Sequence, residues 1–372
     1  MVYLTRGGVA APALLPYRRA MPAAAWTLAV TRDDLTQITV TTGPVPDLAD
    51  GEALLRVDRV GITANNVTYA VLGDSMRYWH FFPAPAAHLG LVPLWGFASV
   101  AASTVPGVEP GQRVYGYLPP ASHLVVRPVR VDDTGFRDGS AHRAELPSPY
   151  NAYRLTTGDP AYRADQEDLL ILFRPLFFTS FMLADQLLDN DCYGAAQLVL
   201  SSASSKTAYA AAFELHGRGP RLIGLTSPGN VAFTESLGCY DQVLPYTGVA
   251  ALDTVPTAYL DLSGAPDTRA AIRAHLGTHL VRDIAVGLTN QVPNAEAAGE
   301  VFFAPNQMRK RTTDWGRDGL DRRFSEAWHR FAEAVTTWVD VETGNGPEAL
   351  RDAWLDALAG RTAPRVGRVV QL

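Results

Sequence analysis

Cysteine is almost missing from the chain: only Cys192 and Cys239 occur in 372 residues. Two cysteines build neither a multi-disulfide framework nor a cysteine-ligated zinc site. The eight histidines contain no HExxH pattern. His275 and His279, four apart, can share a helix face, but no third ligand stands near them in sequence, so a metalloenzyme is not expected. An excess of positive charge is lacking too. Thirty-two lysines and arginines against 38 acidic residues leave a net charge of −6, which gives no general attraction for nucleic acid or an anionic membrane. No charge-free apolar run reaches the roughly 18 residues of a membrane span. The apolar patch at residues 9–16 is broken by Pro12 and Pro16 and followed by Tyr17-Arg18-Arg19, unlike a secretory leader. A soluble, cytoplasmic protein without nucleic-acid or membrane partners is expected. Lysine is as scarce as cysteine: Lys206 and Lys310 are the only two, and arginine supplies the other 30 basic residues. In such a chain a surviving lysine marks either chance or a position that needs a compact ammonium.

What is present is a core. Hydrophobic residues make up 47% and charged residues 19%, enough for a chain of two or three folded domains. The first 130 residues read as strands and turns: short β-prone runs at 26–30 and 37–42, then an alternation in which Ala53, Leu55, Val57 and Val60 are apolar while Arg56, Asp58 and Arg59 are charged. Strands follow at 95–104 and 113–117, joined by the turn Val105-Pro106-Gly107-Val108-Glu109-Pro110-Gly111. Residues 131–168, polar and without periodicity, read as a long loop. From there strands alternate with helices. A buried helix is expected over 176–188, strands at 196–200, 221–225, 242–244, 259–262 and 281–288, and helices at 207–215, 231–237 and 268–275. This is the pattern of a doubly wound parallel sheet. Helices at 324–339 and 347–358 and a strand at 365–372 close the chain. The fold class is α/β, a β-rich half followed by a doubly wound half.

In such a sheet the nucleotide sits beyond the strand ends, at the first helix N-terminus. The turn there, Ser201-Ser202-Ala203-Ser204-Ser205-Lys206-Thr207-Ala208, lacks GxGxxG but keeps small residues at 202, 205 and 208. The hydroxyls of Ser202, Ser204, Ser205 and Thr207 can donate to phosphate, and Lys206 would add charge. A plain serine-rich helix cap is the alternative. At the end of the next strand, where an acidic residue would hold the ribose of NAD, stand Thr226, Ser227 and Asn230. These tolerate a 2′-phosphate and point to NADP(H).

The order of motifs resembles the medium-chain dehydrogenase/reductase superfamily, in its zinc-free quinone oxidoreductase and enoyl reductase branches. Gly51-Glu52-Ala53-Leu54-Leu55-Arg56-Val57 with Val60-Gly61-Ile62-Thr63 is similar to the segment GEVLVKV…VGIN, and Gly107 through Gly116 to the turn before the next strand. Residues 197–208 fall where the nucleotide loop belongs. Ser236-Leu237-Gly238-Cys239 with Leu244-Pro245-Tyr246 resembles the stretch after the second nucleotide-binding strand. The run from Val301 to Gly316 departs from the superfamily pattern and looks like the marker of an uncharacterised bacterial offshoot.

The resemblance implies a GroES-like substrate domain over 1–170, completed by 306–372, around a Rossmann domain over 171–305. It implies NADP(H), with Tyr246 beside the 2′-phosphate, and no zinc, since Thr63 stands about where alcohol dehydrogenases carry a cysteine ligand. It also implies dimers paired through a Rossmann edge strand, which residues 281–286 can supply. Tyr78 lies about where enoyl reductases carry a catalytic tyrosine, and is either a proton donor or part of an aromatic wall. Asn66 and Tyr69 can hold the nicotinamide or a substrate carbonyl. Arg174 is either a surface ion-pair partner or an anion clamp for substrate. Lys310 is either part of a solvated basic run, a contact for a substrate anion, or, if buried, a nucleophile. The expected activity is zinc-independent, NADP(H)-dependent reduction of a small activated carbonyl, enone or quinone. A non-redox lyase of retro-aldol type and a non-catalytic NADPH sensor are the alternatives.

Overall fold

The computed structural model describes residues 24–286 and 300–372. The apolar patch at 9–16 and the end of the strand expected at 281–288 lie outside them. Two sheets form the β-rich part. The smaller orders Ile38–Gly43, Ala25–Thr31 and Leu89–Gly90. The larger runs Asp340–Asn345, Val366–Gln371, Ala53–Ile62, Leu94–Ser103, Arg113–Leu118, Ala152–Leu155, Gly135–Asp138 and Pro128–Asp132, with His123–Val126 also paired to Ala53–Ile62. The third sheet is parallel throughout: Gln242–Pro245, Arg221–Thr226, Gln197–Leu200, Thr257–Asp261, Leu280–Val286, Glu300–Phe302. In chain order this is 3-2-1-4-5-6, the Rossmann arrangement, with its switch point between Gln197–Leu200 and Thr257–Asp261. The fold is therefore a GroES-like β-rich unit with a Rossmann unit.

Helix Glu167–Asp189 joins the two units. It starts nine residues before the expected helix and carries Pro175 inside it. Gly61 lets it lie close to the β-rich sheet, because a Cβ there would meet Ile171 Cγ2 at 2.5 Å, and Gly367 makes the same allowance for Leu172. Its other side packs Phe177 and Phe181 against Phe324, Trp328 and Phe331 of helix Ala304–Val335. That helix begins twenty residues earlier than expected and turns at Gly316, where φ is +70°. The positions 170/171 and 305/306, expected as domain boundaries, each fall within one of these helices.

Residues 131–168 are not a loop. They hold Gly135–Asp138, Ala152–Leu155 and several short turns. Polar residues share the interior here with Phe136, Leu146, Tyr153 and Leu155: Arg143, 1% exposed, pairs with Asp138 at 3.3 Å and donates to Phe81 O at 3.1 Å. Asp138 also accepts from Arg127 N, Ser140 N and Ser140 Oγ. Short strands set between turns and a buried ion pair leave no apolar period to read.

Candidate active site

The loop after Gln197–Leu200 folds on its own hydroxyls. Ser202 takes the left-handed conformation, φ +53°, and its N–H donates to Tyr246 Oη at 3.0 Å. Burial raises the Tyr246 phenol pKa above its ordinary value. Ser204 Oγ accepts from Thr226 Oγ1 at 3.1 Å and Asn230 Nδ2 at 3.2 Å, so three residues singled out in sequence meet at the end of strand Arg221–Thr226. Ser205 caps helix Lys206–Leu215, accepting from Ala208 N at 3.3 Å. Thr207 is the second residue of that helix, and its carbonyl accepts from Ser180 Oγ. Ser227 opens the short turn Pro228–Asn230. A further cluster was not singled out. Ser201 donates to the buried Asp261, which also accepts from Tyr259 Oη, Ser263 N, Ser263 Oγ and Gly264 N. Its sequence signal is a carboxylate closing an apolar strand, followed by Ser263-Gly264.

Lys206 does not serve this loop. Its Nζ donates to Pro364 O at 3.2 Å and Val366 O at 3.1 Å and lies 5.8 Å from the Phe173 ring. Strand Val366–Gln371 pairs antiparallel with Ala53–Ile62, Arg368 opposite Ile62. Continuing that register brings Val366 beside residue 64, where helix Ala64–Val71 starts. Lys206 therefore ties the start of helix Lys206–Leu215 to the start of strand Val366–Gln371. Desolvation holds its pKa down at about 8, from an ordinary 10.5. Since the unfolded chain keeps its proton to higher pH, this group gains stability for the fold as pH rises from about 8 to about 10.5. Wild type is thus expected to gain on Lys206→Met across that interval, read as the difference between their urea midpoints at pH 7.5 and pH 10.

Tyr69 and Tyr78 come together in an aromatic box, their ring centroids 4.6 Å apart, with Tyr117, Phe81, Trp95 and Tyr150 around them. Tyr69 is 4% exposed, and its Oη accepts from Asn65 Nδ2 at 2.7 Å and Trp95 Nε1 at 3.1 Å. Two N–H groups thus occupy the oxygen's lone pairs, and the phenol proton is left to face the box. Burial raises the Tyr69 pKa, and the bonds from Trp95 and Asn65 pull against it. The Tyr117 hydroxyl, fully buried, has no partner within hydrogen-bonding geometry, although it lies close enough to Tyr69 to act on its ionisation. Burial also raises the Tyr78 phenol, which engages Tyr150. Asn66 does not face the box: its Oδ1 accepts from Thr63 N and Thr63 Oγ1 and its Nδ2 donates to Pro93 O at 2.9 Å. Both ends of the amide are consumed in capping the helix.

Four other expectations are corrected. Lys310 is exposed and paired with Asp189 at 2.8 Å and Asp314 at 3.0 Å. Its pKa is raised by those carboxylates, so it is no buried amine nucleophile. Arg174 is buried, its Nη1 and Nη2 both on Asp159, and is neither a surface ion-pair partner nor free for a substrate anion. Strand Leu280–Val286 has a neighbour on each side, so it is not an edge; among the described residues Glu300–Phe302 is. His275 and His279 share no helix, because Pro266–Leu276 ends at Gly277, φ +50°. Among the described residues no group of three or more His, Cys, Asp or Glu can hold a metal ion, and no helix is long and apolar enough to cross a membrane.

The parallel sheet ordered 3-2-1-4-5-6 and the β-rich sheets beside the aromatic box give the chain a GroES-like plus Rossmann fold. Residues 60–363 match the family described as a protein of unknown function, DUF2855, and the chain belongs to that family. No curated protein sequence matches it. Solved structures of the same fold include CurA from Vibrio vulnificus in complex with NADPH, at 15% identity and a TM-score of 0.62 over 93% of this chain and 98% of that one. The quinone oxidoreductase from Coxiella burnetii follows at 14% and 0.53, over 94% and 100%. The yhdH oxidoreductase from Salmonella enterica, in complex with NADP, follows at 14% and 0.51, over 93% and 99%.

Proposed function

We propose that the protein is an NADP(H)-dependent, zinc-independent reductase of a small activated carbonyl, enone or quinone. The observation that carries this reading is the buried, unpartnered Tyr117 hydroxyl beside the Tyr69 proton. An orphaned buried hydroxyl costs about 1–3 kcal/mol, and a carbonyl oxygen placed between the two phenols would satisfy both. Such a pair polarises the carbonyl and stabilises negative charge on its oxygen as the reaction proceeds. Tyr69 then gives up its proton, the phenolate oxygen remaining bonded to Asn65 and Trp95.

A dinucleotide would lie along the crevice, its pyrophosphate at the helix start, where the main-chain N–H groups of Lys206 and Thr207 have no partner inside the helix. The uncharged Ser204–Thr226–Asn230 cluster leaves room for a 2′-phosphate, with Ser227 and Tyr246 at its margins. When bound, the cofactor supplies the hydride. The retro-aldol alternative loses its amine, because Lys310 is exposed and ion-paired. Dimerisation through Glu300–Phe302 is part of the same proposal.

Calorimetric titration tests it. Micromolar binding of NADPH and weaker binding of NADH are expected, and Asn230→Asp, which sets a carboxylate at the 2′ position, should weaken NADPH about 10-fold and leave NADH unchanged. Binding of neither nucleotide would overturn the reading; binding without oxidation by any enone or quinone would leave the sensor.

A further inference from the structure

Tyr150 belongs to the segment that reads as loop in the sequence, and it fills the box. Its ring centroid lies 4.8 Å from Tyr117, 5.3 Å from Phe81, 5.8 Å from Trp95, 6.1 Å from Tyr78 and 6.5 Å from Tyr69. Burial pushes the Tyr150 phenol pKa up, and the neighbouring Tyr69 and Tyr78 add to it. A six-membered ring with one oxygen thus occupies the box. The ring arrives from outside: Tyr150 is partly exposed, whereas Tyr117 and Phe81 are fully buried. It sits on the short turn Ser148–Asn151, whose neighbours Pro147, Ser148 and Pro149 are exposed. The turn is anchored by Asn151 Nδ2 on Arg143 O at 3.2 Å and by Arg137 on Ser148 O at 2.9 Å.

Resting on the reductase reading, we propose that Tyr150 is a specificity-determining residue that holds the place of the substrate's ring. The substrate class is then a flat, six-membered conjugated ring bearing a carbonyl, which enters the box in place of the Tyr150 ring and sets its oxygen between Tyr69 and Tyr117. Substrate binds by displacing the Tyr150 ring outward, exchanging one set of edge and tilted ring contacts for another. An acyclic enone cannot replace those contacts and competes poorly. Apparent affinity is set by the fraction of molecules in which Tyr150 has left the box, so its removal raises affinity by the inverse of that fraction.

The test has two arms. Hydroquinone is titrated calorimetrically into the cofactor-free protein: Tyr150→Ala should bind it at least about 10-fold more tightly than wild type. Tyr150→Phe, which keeps the ring and the packing, should still exclude it. Adding Tyr69→Phe to Tyr150→Ala should take back most of the gain, which a mere hole would not do. No gain in Tyr150→Ala, or a gain indifferent to Tyr69→Phe, overturns the proposal. In the second arm, NADPH oxidation is followed with 1,4-benzoquinone and with but-3-en-2-one. Tyr150→Ala should lower KM for the ring and for the open-chain enone alike, about 10-fold, with kcat retained and the ring keeping the lower KM. A KM for the enone at or below that for the ring overturns the selectivity. If no variant oxidises NADPH while the hydroquinone results hold, the reductase reading fails and the ring site stands.

Discussion

Tyr69→Phe is expected to lower kcat for reduction about 100-fold while leaving NADPH affinity and Tm close to wild type. The substitution removes one hydroxyl and keeps the ring in its place, 4.6 Å from Tyr78 and 5.5 Å from Tyr117. General acid catalysis is worth about 10²–10⁴-fold, and the surviving Tyr117 hydroxyl keeps the loss toward the lower end. Because burial raises the phenol pKa, the donor stays protonated through the neutral range, and wild-type kcat should be flat between about pH 6 and pH 9. Trp95→Phe separates chemistry from packing. It removes the N–H that supports the Tyr69 oxygen at 3.1 Å, makes Tyr69 a weaker acid, and should lower kcat about 10-fold without changing NADPH binding. A Tyr69→Phe enzyme with kcat within about threefold of wild type would remove Tyr69 from the reaction and leave Tyr78 or solvent as proton source.

How much of this was legible follows from which contacts are local. The alternation Ala53, Leu55, Val57 and Val60 reads directly as a one-sided strand, and the same positions are fully buried in the sheet. The Rossmann series reads equally well, because short apolar strands separated by helices leave a period in the sequence. Asn65 and Tyr69, four apart on one helix, were within reach of the same reasoning. Trp95, Tyr117 and Tyr150 were not, since nothing local says that two strands and a turn bring those rings to Tyr69. The rarity of lysine singled out Lys206, whose ammonium sits between two main-chain carbonyls with no room for a planar fork. It also singled out Lys310, whose exposed pairing with two carboxylates asks nothing special of a lysine. Scarcity marks a position; only its partners say what the position does.

The largest stability effect is expected at Asp159→Ala. Arg174 lies within helix Glu167–Asp189, its guanidinium 5.1 Å from the Tyr115 ring and 5.8 Å from the Phe324 ring, and Asp159 receives both its Nη groups. The pair thus joins the β-rich sheet, the long linking helix and helix Ala304–Val335. Removing the carboxylate leaves a buried charge against two aromatic faces, a change that costs about 3–5 kcal/mol. Replacing both partners, Asp159→Leu with Arg174→Met, should recover most of that loss, because neither charge is then desolvated. Burial pushes the Asp159 carboxyl up, and Arg174 outweighs it and holds the pKa below the ordinary value. The stabilisation is therefore complete above about pH 4 and is lost as pH falls through the folded-state pKa, so wild type and Asp159→Ala should converge in acid. Urea midpoints at pH 7 and pH 3 check both statements. Tyr115 in turn stacks on Trp95 at 5.6 Å and 13°, and Trp95 donates to Tyr69. Releasing Arg174 loosens the stack that aims this N–H, so the folded fraction of Asp159→Ala should show a kcat deficit like that of Trp95→Phe, whereas the double variant, with its packing restored, should not.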